Sequence, residues 1–406
     1  MATPRQNASN RDSARLDEIR IARISTVPFY VVAQLKNQIS YLGRQGASVA
    51  VVASDEPEQV EFEGIAGVSY HAIDIPRSIA PWRDLVALVR LLLFFRRRHI
   101  QIVHSTTPKA GLLTAVAAWL AGVPVRLHTF TGQPWVTMRG VKRLLARGSD
   151  RVIGVLTTRC YTDSPSQRSF LIAEGIIQAE KLLVIGAGSL AGVDTGRFDR
   201  SRFTPHECEA LKDTLRIPHD APVLLFVGRI TADKGVRELL KAFRQLSATS
   251  RDAHLVFVGH FDTESGMSSS VTREDVAGIQ NAHVVDYTSA PEAYMAIADI
   301  LCLPSYREGF GTVVIEAAAM GVPTVGTQIY GLTDAVVQGE TGLLVPPRDV
   351  EDLTAALEKL LSDAPLRAKL GAAAQHRAHE KFDAQLFNQR VAEEYLSLLR
   401  CAGIVK

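Results

Sequence analysis

Short apolar runs alternate with helix-period runs along nearly the whole chain, and this rhythm restricts the fold more than any other feature. Strand-like stretches fall at 20–24, 48–53, 100–104, 123–127, 151–155, 182–185, 222–227, 254–258, 282–285, 299–303, 322–326 and 342–345. Helical patterns separate many of them, at 31–45, 83–98, 109–121, 139–147, 165–174, 235–248, 291–297, 312–320, 331–337, 349–361 and 365–380. Alternation of this kind means parallel sheets with helices on both faces. A dozen strands is too many for one tidy sheet, so the pattern predicts an α/β chain of two Rossmann-like, doubly wound domains in tandem. The polar stretch 194–221, with Pro205 and Pro218, marks the boundary. The expected division is a disordered leader over 1–18, a first domain over 19–200, a second over 201–383, and a last helix within 384–406 that crosses back to the first domain. Ligands of such sheets bind outside the carboxyl ends of the strands. Two facing domains would form a central cleft there.

The totals exclude several classes. Of 406 residues, 47% are apolar and 22% charged, which a sizeable core requires. A formal net charge of +2 argues against a nucleic-acid partner. The four cysteines, Cys160, Cys208, Cys302 and Cys401, have neither Cys-x-x-Cys nor zinc spacing, and read as free thiols of a reducing cytoplasm. The leader lacks the apolar centre of a signal peptide. The uncharged run 110–125 is shorter than the roughly 20 residues of a membrane span and contains Gly122 and Pro124, so it reads as a buried helix.

The densest chemistry lies at 304–327. A strand ends at Pro304. A loop with Glu308-Gly309-Phe310-Gly311 follows, and a helix starts near Thr312 and carries Glu316. The helix start offers backbone N–H groups to an anion. Glu316 interrupts an apolar helix, where a carboxylate needs a partner, and ribose hydroxyls would serve. Glu308 can accept hydrogen bonds from sugar hydroxyls. Upstream, Gly228-Arg229 and Lys234-Gly235 form another strand-to-helix loop. Gly228 permits a tight turn, and the two cations can clamp a diphosphate, Arg229 by its fork and Lys234 as a point charge. Alone, they would read as two surface cations. Paired with the second junction, they read as half of one site.

These motifs, with Gly321-Val322-Pro323 and Gly339-Glu340-Thr341-Gly342, closely resemble those of retaining glycosyltransferases of family 4, across essentially all of residues 20–400. The resemblance implies the GT-B fold and a nucleotide-sugar donor. It implies that Arg229 and Lys234 bind the diphosphate, that Glu316 holds the ribose, and that Glu308 with the Gly309–Thr312 backbone contacts the donor sugar and phosphate. Val103-His104-Ser105 to Gly111, His128 to Trp135, and Asp163-Ser164-Pro165 look like the capsule and O-antigen branch, whose members often extend sugars on a polyprenyl diphosphate. The resemblance therefore implies a lipid-linked saccharide acceptor, and UDP with an N-acetylhexosamine or its 6-deoxy form as donor. No cofactor is implied. Without an Asp-x-Asp motif, no metal is suggested either. Two departures stand out: Ala191 replaces an Asn usual in the branch, and Ser25-Thr26-Val27-Pro28 replaces a usual Gly-Gly. A nucleotide-sugar epimerase of the same architecture, and a silent binding subunit of an assembly complex, are the rival readings.

Five further features have two readings each. His128 is either a strand-end cap or a catalytic contact to donor sugar or acceptor. Lys109 at a helix start faces an unfavourable dipole and meets either a phosphate or a surface carboxylate. The stretch 83–98, apolar and ending in Arg96-Arg97-Arg98, is either a core helix or a peripheral contact with the inner face of the membrane. His376 and His379 can share a helix face, though surface placement outweighs zinc. Gly186-x-Gly188-x-x-x-Gly192 mimics a dinucleotide loop, but no helix pattern follows it.

Overall fold

The computed structural model describes residues 15–246, 252–261 and 271–405. Its strands are β1 (Arg20–Ile24), β2 (Ser48–Ala53), β3 (Val68–Ala72), β4 (Ile102–Thr106), β5 (Val125–Phe130), β6 (Arg159–Thr162), β7 (Leu182–Val184), β8 (Val223–Val227), β9 (His254–Val258), β10 (Ala282–Val285), β11 (Ile300–Leu303), β12 (Thr324–Thr327) and β13 (Gly342–Val345). They form two sheets, ordered β3-β2-β1-β4-β5-β6-β7 and β10-β9-β8-β11-β12-β13. Central strands such as β2, β4 and β9 are buried along almost their whole length, as strands covered on both faces must be. In the first sheet Ile21 of β1 lies opposite Val49 of β2 and Ile102 of β4, all parallel. In the second, Leu224 of β8 lies between Leu255 of β9 and Ile300 of β11. Each order reverses direction once, between β1 and β4 and between β8 and β11.

By compactness the chain divides into one unit of residues 1–129, 148–160 and 385–406 and a second of 130–147 and 161–384. Residues 161–184 carry most of β6 and all of β7, yet fall in the second unit. Their loops explain it. Ser164 Oγ donates to the Gly309 carbonyl (2.9 Å), and the Ser166 N–H donates to Asp334 Oδ2 (2.9 Å). The Gly331 N–H donates to Ser166 Oγ (2.8 Å). In the first unit, Tyr395 of the helix Ala384–Cys401 is fully buried and accepts from Arg23 Nη1 of β1 (2.8 Å).

Several elements differ from the sequence pattern. Residues 151–155, strand-like by their β-branched content, are the last part of the helix Gly140–Leu156. Only Ile153 and Gly154 of these five are buried, a helical rather than a two-residue period. β3 and β6 lie where no strand is predicted, because Val68–Ala72 is half-polar and Arg159–Thr162 is only four residues long. The polar boundary contains a helix, Pro205–Thr214, opened by a reciprocal Thr204–Glu207 capping box. Residues 1–14 of the expected leader lie outside the described residues. At 15–18 the expectation fails: Leu16 is fully buried and its N–H donates to Gln45 O (2.8 Å).

Candidate nucleotide-sugar site

The carboxyl ends of β8 and β11 lie side by side at the reversal of the second sheet, the position where doubly wound sheets take their ligands. The loop after β8 starts at Gly228, φ 142, and places Arg229 at the surface. It then winds through a short turn, Ala232–Lys234, to Gly235. Gly235 has φ 70, and a Cβ there would collide with the Pro304 carbonyl. Only glycine lets this loop lie against the loop after β11. The Tyr306 N–H donates to Asp233 O (2.9 Å) across the same contact.

The close approach brings two predicted site residues together. Lys234 Nζ lies 2.5 Å from Glu308 Oε1, with the side chains 19% and 12% exposed. Ser305 Oγ donates to the same carboxylate oxygen (2.7 Å). Beside the pair, Asp233 accepts from Thr231 Oγ1 (2.5 Å) and lies 3.5 Å from Arg307 Nη2. Burial works against the Asp233 charge, but the Thr231 hydrogen bond and the cations Lys234, Arg229 and Arg307 outweigh it and lower its pKa.

Gly309 to Thr312 are held by backbone geometry. A Cβ on Gly309 would come within 2.8 Å of Thr131 O and 2.9 Å of Asp163 Oδ2. Gly311, φ 84, caps the helix Thr312–Ala319. Phe310 is expected to meet the donor through its backbone; its side chain is turned into the core. Its ring is 2% exposed, packs 5.2 Å from Phe382, and anchors the loop by about 2 kcal/mol of apolar burial. Glu316 faces a second cluster. Arg197 grips Glu292 through Nε (3.0 Å) and Nη2 (2.7 Å). The residue Glu316 is only half-buried, yet its carboxyl is desolvated and pushed up to about 7, with Arg197 opposing the shift and Glu292 adding to it. No hydrogen bond to the Glu316 carboxyl is made among the described residues.

His128 belongs to the first unit. It is 1% exposed, its Nδ1 is 2.9 Å from Ser105 Oγ, and a Cβ on Gly111 would collide with its ring. Burial pushes its pKa down to about 3. Such a ring has the surroundings of a packed strand-end residue. Lys109 meets a carboxylate, Asp84 Oδ1 at 2.6 Å. His376 is exposed and lies 3.8 Å from Glu380, and no three-residue metal-ligating cluster occurs among the described residues.

Sequence reasoning misses Ser305, Arg307, Arg197, Glu292 and Asp163. Ser305 and Arg307 sit inside the 304–327 motif and were within reach. Arg197 and Glu292 are 95 residues apart and carry no joint signal. Asp163 is 5% exposed, its Oδ1 has no hydrogen-bond partner, and burial raises its pKa to about 8.

Two doubly wound sheets of this kind are the fold of solved glycosyltransferases. The family model for glycosyl transferases group 1 matches residues 208–377, and that for the glycosyl transferase 4-like domain matches 31–188. The capsular polysaccharide biosynthesis glycosyltransferase CapM of Staphylococcus aureus is 30% identical over 370 residues, 90% of this chain and 94% of its own. A D-inositol 3-phosphate glycosyltransferase of Stackebrandtia nassauensis is 31% identical over 69% of this chain and 64% of its own. The solved glycosyltransferase of Rickettsia africae superposes with a TM-score of 0.77 at 21% identity, covering 94% of this chain and 99% of its own. HepE of Anabaena, solved with UDP-glucose, gives 0.76 at 18% identity, over 94% and 100%. The chain belongs to the group 1 glycosyltransferases, with a 4-like first domain and the GT-B architecture.

Proposed function

We propose that the protein transfers a sugar, with retention of anomeric configuration, from a UDP-linked donor to a hydroxyl of a polyprenyl-diphosphate-linked saccharide in capsular or related cell-surface polysaccharide synthesis. The donor sugar proposed is an N-acetylhexosamine or its 6-deoxy form. The juxtaposition of Arg229, Lys234 and Glu308 at the β8/β11 reversal carries this reading. The names of CapM and of HepE with UDP-glucose support it.

In this proposal Arg229 and Lys234 neutralise the leaving diphosphate together with the N-terminus of the helix Thr312–Ala319, without a metal. Glu316 accepts from the ribose hydroxyls, the unmet need of its desolvated carboxyl. Glu308, aimed by Lys234 and Ser305, accepts from a donor-sugar hydroxyl. The acceptor oxygen bonds to the anomeric carbon on the face from which the diphosphate leaves. The anomeric C–O bond breaks, and the acceptor proton passes to the departing phosphate oxygen.

Peripheral membrane attachment belongs to the same proposal. No helix of the described residues is long and apolar enough to cross a membrane. The helix Pro81–Arg97 instead exposes Trp82 (75%), Leu85, Val89 and Leu93 among Arg83, Arg90 and Arg97. That composition suits the inner face of an anionic bilayer.

A screen of UDP-, GDP- and ADP-sugars, with and without lipid-diphosphate-linked saccharides, tests the reading. Acceptor-dependent UDP release with an α-linked product from an α-linked donor is expected. Epimerisation without acceptor would replace the proposal by the epimerase reading. In Glu308→Gln/Lys234→Ala, transfer is expected to fall by at least about 100-fold, the usual cost of losing a preorganised group at developing charge. Retained activity would remove the mechanism.

A further inference from the structure

Two buried side chains of the second unit carry a polar group with no partner, and both belong to segments packed on Gly309. Asp163 is the first. Its Oδ1 is unpartnered, and a methyl on Gly309 would stand 2.9 Å from its Oδ2. Gln133 is the second, fully buried with an unpartnered Nε2. It follows Thr131, whose carbonyl oxygen would stand 2.8 Å from the same methyl on Gly309. Gln167 ties the two together: its Nε2 donates to Gln133 Oε1 (3.2 Å), and its Oε1 accepts from the Asp163 N–H (2.9 Å). The Tyr330 hydroxyl also donates to Gln133 Oε1 (3.5 Å), so the amide oxygen is spent and the amide N–H₂ is the open side. Arg307 reaches the same place. Its Nη1 would stand 3.7 Å from a methyl on Gly132, and its buried Nε has no partner. Buried polar groups are nearly always paired in a folded protein, so three orphans around one loop call for an occupant.

The chemistry of the orphans narrows that occupant. Burial raises the Asp163 pKa to about 8, so near neutral pH it is a neutral acid, with an O–H donor and a carbonyl acceptor. A buried carboxylic acid kept neutral in this way can donate a hydrogen bond to a ligand. Gln133 and Arg307 add N–H donors. The charged groups on the packed segments are Arg307, Glu308 and Asp334. Arg307 is balanced by Asp233 (3.5 Å), Glu308 is held by Lys234 and Ser305, and Asp334 by Ser166. None of them bonds to Asp163, and burial by itself sets the shift. An apolar occupant would leave every orphan unmet. A neutral group that both donates and accepts, such as a sugar hydroxyl or an acetamido group, meets them.

We propose that Asp163 and Gln133, with Arg307 beside them, bind a neutral hydroxyl or acetamido group of the donor sugar and so decide which sugar is transferred. This inference rests on the transferase reading above. It adds to Glu308, which sits on the same loop, two residues from remote parts of the chain.

Calorimetric titration of the full chain with UDP, UDP-glucose, UDP-N-acetylglucosamine and UDP-glucuronate tests it. The quantity read is the Kd of each UDP-sugar divided by that of UDP, which cancels effects on the nucleotide, the Glu316 titration included. In Asp163→Ala/Gln133→Ala this ratio should rise about tenfold for the neutral sugar that wild type binds best, the effect of losing two neutral hydrogen bonds. UDP itself should bind within about twofold of wild type, which also verifies the fold. Asp163→Asn keeps a neutral donor and acceptor and should keep the wild-type ratio. Between pH 7 and 9 the ratio should rise in wild type, as Asp163 loses its proton, and stay level in Asp163→Asn; this pair decides the matter if the double variant does not fold. A ratio unchanged in the double variant, as when water alone meets the two groups, would overturn the inference. So would a wild-type ratio that is level with pH, or an effect confined to UDP-glucuronate. In each of these cases UDP binding leaves the proposed function standing. A wild type that binds neither UDP nor any UDP-sugar would sink the proposed function and this inference with it.

Discussion

Glu308 shows how a single side chain is defined by what it touches. With Lys234 at 2.5 Å and Ser305 at 2.7 Å on one oxygen, it is fixed before any ligand arrives. Glu316 is the opposite case, a desolvated carboxyl without a hydrogen-bond partner and with a pKa near 7. Under the proposed function, ionisation is what lets it accept from both ribose hydroxyls. UDP affinity should thus strengthen as pH rises from 6 to 8, and Glu316→Gln should flatten that part of the profile; calorimetric titration across this range checks it. Asp163 gives a stability prediction. Its folded pKa of about 8 stands well above the unfolded value of about 3.9, so the folded state binds the extra proton between them. Its contribution is full below about pH 4 and is lost as pH rises through 8. In Asp163→Asn, denaturant midpoints should fall less than those of wild type between pH 5 and 8.5. Neither pKa was legible in sequence, because each depends on chain segments remote from the residue itself.

At the scale of elements, the two junction loops are matched parts. Gly235 permits the β8 loop to pack on the Pro304 carbonyl, and that packing delivers Lys234 to Glu308. Gly235→Ala combines a left-handed backbone with a backbone collision. It should cost at least about 1–3 kcal/mol of unfolding free energy, and activity should fall further than stability explains. Equilibrium unfolding and initial rates on one preparation separate the two. The helix Gly140–Leu156 shows how element assignment fails. Its stretch 151–155 is rich in β-branched residues, which favours strand locally. Burial of Ile153 with Val152 and Val155 left exposed decides for helix. The helices Pro28–Arg44, Pro81–Arg97 and Pro108–Ala121, by contrast, were readable to within a few residues. Proline at the first turn marks all three, amphipathic spacing marks the first two, and an almost unbroken apolar run marks the third; all are local signals.

At the scale of the molecule, two doubly wound sheets give two strand-end reversals. The second holds the candidate donor site, and the first is bridged by Thr26 and Thr107. The surface of the helix Pro81–Arg97 adds a prediction for the whole protein. It should co-float with vesicles containing anionic lipid and not with neutral ones, and lose that binding in high salt or in Trp82→Glu/Leu85→Glu. Binding to neutral vesicles alone would argue against the basic half of the surface.

Sequence alone determined the α/β class, the tandem arrangement and the two loops that bear Arg229, Lys234, Glu308 and Glu316. Those properties are written in period, punctuation and short spacings, which neighbouring residues express by themselves. Tertiary structure alone decided that Lys234 and Glu308 pair directly, that Phe310 and His128 are buried, and that Arg197 and Glu292 join Glu316. It also decided that the unpartnered groups of Gln133, Asp163 and Arg307 gather around Gly309. Each of those depends on strands adjacent in a sheet but distant in the chain, and strand order is set by the packing of all the crossovers together.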